Sequence, residues 1–145
     1  MFFIAFAIVL LDQLTKQFVL HVLPLPVWLI SDDIGLQVSF NTGVAFSFPL
    51  EGGWAIGVSL LIILGLLAYY FCSLKRSLRA DVVFGLIIGG AVGNLIDRFL
   101  YGSVVDFIRI YSYPSFNLAD MAITLGFLLF IFFLDTMTSK KLSLF

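Results

Sequence analysis

Apolar residues run almost unbroken through four stretches, about 2–23, 54–74, 82–101 and 117–136. A bilayer's hydrocarbon core takes about 20 mostly apolar helical residues to cross, and each stretch meets that length. Four membrane-spanning helices are therefore predicted. The connecting segments read differently. Ile34 to Phe40 alternates apolar with small or polar residues, Asn41-Thr42-Gly43 is a turn signal, and Val44 to Phe48 is apolar and aromatic again, which predicts a hairpin with arms either side of residues 41–43. Gly102 to Phe116 holds a second strand-like run, Ser103 to Ile110, and a turn around Tyr113-Pro114, and this run can extend the same sheet. The predicted fold is an all-α membrane protein of four transmembrane helices with a small extracytoplasmic β-hairpin or sheet platform, in one domain over residues 1–145 with no internal repeat.

Composition agrees with lipid as the solvent: 61% of residues are apolar, 17% are aromatic and only 12% are charged. Eight Lys and Arg against nine Asp and Glu leave no basic surface for nucleic acid. The position of the charges says more than their sum. Lys75, Arg76 and Arg79 lie between the second and third spans and Lys140 and Lys141 in the tail, whereas residues 24–53 have no Lys or Arg and 102–116 have only Arg109. The positive-inside rule then places both termini in the cytoplasm and the 24–53 and 102–116 segments outside it. The first stretch lacks a basic n-region and a small-x-small site, so it is expected to stay on as a span. Cys72 has no partner for a disulfide within the chain and reads as a packing residue.

Polar side chains within spans are costly and mark function by default. At about 1.5 Å rise per residue, Asp12 lies about 15 Å and Lys16 about 21 Å along the first span, while Asn94, Asp97 and Arg98 lie about 18 to 24 Å along the third. The fourth span enters from outside, so Asn117 and Asp120 sit within about a turn of the outer surface. Asp106 follows the third span on that side, and Tyr101-Gly102-Ser103 can fold it back. One polar pocket opening outward accounts for all of them. Asp12 and Lys16, four apart, have the spacing of an ion pair that neutralises two charges in lipid, with substrate contact as the other reading. Asn94 and Arg98 share a helical face, and Asp97 points elsewhere, toward a neighbouring helix. The Arg98 fork can hold backbone carbonyls, anionic headgroups or a structural partner. Glycines 85, 89, 90 and 93 suit close helix packing.

Asp106 and Asp120 differ from these, because neither has a Lys or Arg at helical spacing on its own element, and Arg109 falls on the opposite face of a strand from Asp106. Two carboxylates at a partly dry site do not both ionise easily. One can take a proton from an attacking water while the other polarises a carbonyl and protonates the leaving amine. Paired carboxylates in a membrane also carry protons, so a small proton-coupled transporter is the alternative function, and a scaffold subunit with purely structural charges is another. Other chemistries have little footing. His21 is the only histidine and reads as a surface residue, no spacing suits a metal, and no phosphate loop or nucleophile elbow is present. Trp28 and Trp54 fit interfacial anchoring.

Five segments in order carry a family resemblance: Asp12-Gln13-Leu14-Thr15-Lys16, Asn41-Thr42-Gly43-Val44-Ala45-Phe46-Ser47, Gly89 to Arg98, Val104-Val105-Asp106-Phe107-Ile108 and Phe116-Asn117-Leu118-Ala119-Asp120. In these the chain resembles the bacterial lipoprotein signal peptidases, signal peptidase II, from its first span to its fourth. The resemblance implies an intramembrane aspartyl endopeptidase with Asp106 and Asp120 as its dyad. The implied substrate is a diacylglyceryl-modified prolipoprotein, cut before its lipidated cysteine, and the implied inhibitor is globomycin. Asn41, Asn94, Arg98 and Asn117 are then expected to line the pocket and bind substrate, with Asp12, Lys16 and Asp97 supporting. No cofactor or metal is implied. The expected setting is a monomer surrounded by lipid in the bacterial inner membrane, its site facing the extracytoplasmic side.

Overall fold

The computed structural model describes residues 1–23, 26–30, 33–43 and 53–137. Four helices carry the apolar stretches: α1 (Phe2–His21), α2 (Gly53–Ser73), α3 (Leu78–Tyr101) and α4 (Leu118–Met137), all long and apolar enough to span a bilayer. Side chains such as Phe3, Leu61 and Phe132 are 84%, 70% and 80% exposed, which in an apolar solvent is no penalty. Cys72 belongs to this outward surface of α2 rather than to the packing expected of it.

α3 is the central helix and buries most of its length, whereas α1, α2 and α4 each bury little. Its glycines explain how. A Cβ on Gly90 would collide with the Ala119 carbonyl of α4, and one on Gly93 would stand 2.6 Å from an Asp12 carboxylate oxygen on α1. Without side chains at these positions the backbones approach closely, the means by which helices associate in lipid. α3 also starts earlier than the hydropathy suggests, at Leu78 instead of about 82. Ser77 caps it, accepting the Ala80 N–H at 3.2 Å, so a polar first turn joins an apolar helix. That turn brings in Asp81, which accepts a hydrogen bond from the Tyr70 hydroxyl, so this end of the bundle is not wholly apolar. At its other end α3 stops at Gly102, whose φ of 71° is left-handed and turns the chain back at once.

The turn leads into a three-stranded antiparallel sheet of order β1-β2-β3, with β1 (Val27–Ile30), β2 (Ile34–Asn41) and β3 (Val104–Ile110). The strand-like reading of 34–40 and 103–110 holds, and the hairpin among the described residues is the one that β1 makes with β2. β2 pairs with the strand before it, Val27 opposite Leu36, and on its other edge with β3, Ser39 opposite Asp106 and Asn41 opposite Val104. The second expected arm, Val44 to Phe48, lies outside the described residues. β1 is obscured in the sequence by Pro24 and Pro26; Pro26 stands just ahead of the strand, where a missing N–H breaks no ladder. Beyond β3, Phe116 pairs with Ile108 through two backbone hydrogen bonds of 2.9 and 3.1 Å, and this returns the chain to the head of α4.

Gly90→Leu should push α3 and α4 apart and cost about 2–3 kcal/mol, as overpacking of a close contact does. Gly65→Ala on α2, where a Cβ meets nothing within 4 Å, should stay within about 0.5 kcal/mol of the parent. Thermal unfolding of the two variants in the same detergent checks the contrast.

Candidate active site

The polar residues singled out along the chain converge at the sheet-bearing end of the bundle. Asp106 lies on β3, the strand that Gly102 folds back over α3, and is only 1% exposed. Asp120 lies in the first turn of α4. Asn117, directly before α4, is held by both: its side-chain oxygen accepts the Asp120 N–H at 2.9 Å, while Asp120 Oδ2 accepts the Asn117 N–H at 3.2 Å. This reciprocal pair is a capping box, with Asp in place of the usual Glu, and it fixes the Asp120 rotamer to the start of the helix. The Asn117 amide nitrogen donates to Asp106 Oδ1 at 2.7 Å and to Asn94 Oδ1 at 3.1 Å. One side chain therefore connects the two acids.

Asn94 on α3 completes the link by donating to Asp120 Oδ1 at 2.8 Å. Asn41, at the end of β2, donates to Asp106 Oδ2 at 3.1 Å and accepts the Gly43 N–H at 3.0 Å. Each oxygen of both carboxylates thus has a donor. Arg98 stands beside them, giving Nη1 to the Asn94 carbonyl at 3.3 Å and Nη2 to the Gly43 carbonyl at 3.1 Å. Its buried Nε has no partner among the described residues.

A second layer lies beneath, fully buried. The Lys16 ammonium is 2.8 Å from Asp12, 2.7 Å from Asp97 and 3.1 Å from Asn94 Oδ1. The predicted Asp12 and Lys16 pair is present, and Asp97 finds its neighbouring-helix partner in Lys16. Sequence reasoning missed the other contacts of this layer. Asp12 Oδ1 accepts the Ala119 N–H at 2.9 Å, Asp97 Oδ2 accepts the Val105 N–H at 3.0 Å, and Gln13 donates to Asp97 Oδ1 at 2.9 Å and to the Gly93 carbonyl at 3.2 Å. A clue to Gln13 existed, since an uncharged amide inside a span also needs partners. Backbone donors leave no such mark in a sequence. His21 is exposed, with its ring against the Gln17 carbonyl, and takes no part in the cluster.

A cavity of about 740 Å³ opens beside the cluster, between α2, α3 and α4. Asn41, Asn94, Arg98 and Asp120 line its polar end, and Ile62, Leu66, Ile87 and Leu128 are among the side chains of its apolar wall. Asp120 lines this space directly, whereas Asp106 does not and is hydrogen-bonded to Asn41, which does. The two acids differ in burial, Asp106 being buried and Asp120 half-buried. Burial, and next the charge of Asp120, push the Asp106 carboxyl up to about 6, against the opposing hydrogen bonds of Asn41 and Asn117 and the charge of Lys16. Asp120 sits at a helix N-terminus, where the backbone dipoles favour an anion.

Comparison with known proteins follows the same lines. The family model described as Signal peptidase (SPase) II matches residues 4–136. A lipoprotein signal peptidase of Xylella fastidiosa (strain M12) is 45% identical over 134 residues, covering 85% of this chain and 80% of its own. Its counterpart in Xanthomonas campestris pv. campestris (strain 8004) is 44% identical over 135 residues, covering 80% and 76%. Among solved structures, a bacterial membrane enzyme determined by the in meso method at 2.3 Å resolution superposes with a TM-score of 0.81 at 29% identity, over 99% of this chain and 93% of that one. A second, at 1.9 Å resolution, gives a TM-score of 0.77 at 30% identity over 91% and 90%.

Two measurements check the geometry. In a carboxyl-carbon NMR titration Asp106 should show a midpoint near 6, and Asn41→Ala should move it upward, because the lost amide donor stabilised the ionised form. Asn117→Ala removes the helix cap together with the Asp106 donor, and should lower unfolding stability by about 1–2 kcal/mol.

Proposed function

The chain belongs to the signal peptidase II family and is thereby a peptidase of the membrane; from that membership we propose that it cleaves by an aspartyl mechanism, with Asp106 and Asp120 as the dyad. The observation that carries this reading is the shared amide bridge: Asn117 and Asn94 tie both carboxylates into one cluster at the cavity's polar end. Asp120, on the cavity wall, takes a proton from the attacking water. Asp106, whose carboxyl burial pushes up to about 6, donates its proton to the scissile carbonyl as the tetrahedral intermediate forms. The proton gained by Asp120 then passes to the leaving amine, the carbonyl re-forms with return of the other proton to Asp106, and no covalent enzyme intermediate arises.

The substrate we propose is a diacylglyceryl-modified prolipoprotein, cleaved before the lipidated cysteine. A long apolar cavity ending at a polar cluster suits a ligand that is part lipid and part peptide. Asn41, Asn94, Asn117 and Arg98 would hold the substrate backbone, and the Arg98 Nε, without a partner among the described residues, is a donor for a carbonyl. The cyclic peptide globomycin would compete at the same place. The enzyme would work as a monomer in the bacterial inner membrane, with both termini cytoplasmic, as the Lys and Arg distribution indicates. The transporter alternative fares poorly beside family membership.

Incubating purified protein with a diacylglyceryl-modified precursor peptide tests the assignment. Asp106→Asn and Asp120→Asn should each reduce kcat by about 10³-fold or more. Cleavage that survives both substitutions removes the dyad. Because the productive state needs Asp106 protonated, kcat/KM should fall as pH rises through about 6, approaching tenfold per unit. A flat profile between pH 5 and 8 contradicts the assigned roles.

A further inference from the structure

We infer that Lys16 is the positioning residue of the dyad: its buried ammonium binds together the two carboxylates that grip the backbone N–H immediately before each dyad aspartate, and so sets how far apart Asp106 and Asp120 stand. The inference rests on the dyad reading and goes beyond it. Lys16 touches neither dyad carboxylate, so apart from its charge, which reaches Asp106 through space, its action passes through other groups. Asp97 Oδ2 takes both the ammonium at 2.7 Å and the Val105 N–H at 3.0 Å, and Val105 precedes Asp106. Asp12 takes the ammonium at 2.8 Å on Oδ2 and the Ala119 N–H at 2.9 Å on Oδ1, and Ala119 precedes Asp120. The two grips match in kind, one on a strand and one on a helix start, and Lys16 is the element they have in common.

The third hydrogen of the ammonium goes to Asn94 Oδ1 at 3.1 Å. This fixes which way the Asn94 amide faces. With its oxygen committed to Lys16 and to Asn117, its nitrogen must turn to Asp120, which it meets at 2.8 Å. A flipped amide would set oxygen against carboxylate oxygen. All three ammonium hydrogens therefore have acceptors, and each acceptor leads to a dyad residue. An ion pair serving only to neutralise charge in lipid would need one acid, whereas here one lysine gathers two. The second acid carries an excess negative charge that the gripped N–H groups and Gln13 help to satisfy.

A charge-neutral replacement separates positioning from neutralisation. In Lys16→Met/Asp12→Asn/Asp97→Asn no buried charge is left unpaired, and both Asn side chains keep an oxygen able to accept the Val105 and Ala119 N–H groups. What is lost is the common ammonium. The full-length triple variant, assayed on a diacylglyceryl-modified precursor peptide, should melt within about 5 °C of the parent yet lose about tenfold to 100-fold in kcat, with KM within about twofold, as expected of catalytic groups displaced by a fraction of an ångström. Asp97→Asn alone leaves Lys16 and Asp12 as a balanced pair, and should lower kcat about threefold to tenfold with the same small change in KM. A folded variant whose kcat stays within twofold of the parent overturns the inference, and Asp97→Asn decides if the triple variant does not fold. Asp106→Asn and Asp120→Asn are run alongside. If they still cleave, the dyad reading fails and this inference with it; if they are inactive while the Lys16 variants are unimpaired, the positioning role alone falls.

Discussion

A charge carried into a bilayer must meet its opposite within hydrogen-bonding distance, and in this chain that constraint is met by Lys16 with Asp12 and Asp97. One cation and two anions do not balance, and the remainder is answered by backbone. The Val105 and Ala119 N–H groups and the Gln13 amide reach the carboxylates from three different elements. Meeting the electrostatic demand therefore requires a topology. The chain has to turn back after α3 for Val105 to reach Asp97, and the left-handed Gly102 provides that turn. It has to bring the start of α4 against α1 for Ala119 to reach Asp12, and the bare backbone of Gly90 and Gly93 leaves room for it.

Asp106 and Asp120, the proposed dyad, inherit different surroundings from this arrangement. Asp106 comes in on a buried strand, where two amide donors and the charge of Lys16 offset only part of its desolvation. Asp120 comes in at a helix N-terminus, in a capping box, beside a cavity. Identical side chains are thereby made unequal by the secondary structure that delivers them, which is the difference that acid–base work needs. The capping box also makes the helix start and the acid mutually dependent, since the carboxylate that caps the helix is the one that faces the cavity.

Much of this was legible in the sequence, and the reasons differ by element. Lipid excludes unpaired polar groups, so four long apolar runs could scarcely be anything but spans, and polar residues within them had to lie together. Asp12 and Lys16 announced their pairing by spacing, and Asp97 by pointing away from Asn94 and Arg98. The early start of α3 was hidden because hydropathy measures apolar length, while a Ser77 cap lets Leu78 to Asp81 be helical regardless. β1 was hidden behind its prolines. The grips on Val105 and Ala119 were hidden for a deeper reason: every residue but proline carries the same N–H, and only the fold determines which of them a buried carboxylate will find.

The glycines of α3 also account for the cavity. Where α3 meets α1 and α4 the backbones are in near contact, and those are the faces that carry the buried charge cluster. α2 has no comparable approach: its Gly57 and Gly65 look onto open space, and its Ser59, Ile62 and Leu66 line the cavity across from Ile123 and Leu128 of α4. A single helix therefore has a tight side and a loose side. The tight side carries the buried charge cluster, and the loose side leaves an apolar slot that Asp120 lines. Rigid positioning and an open cavity place opposing demands on packing density, and both are met because they fall on different faces of α3.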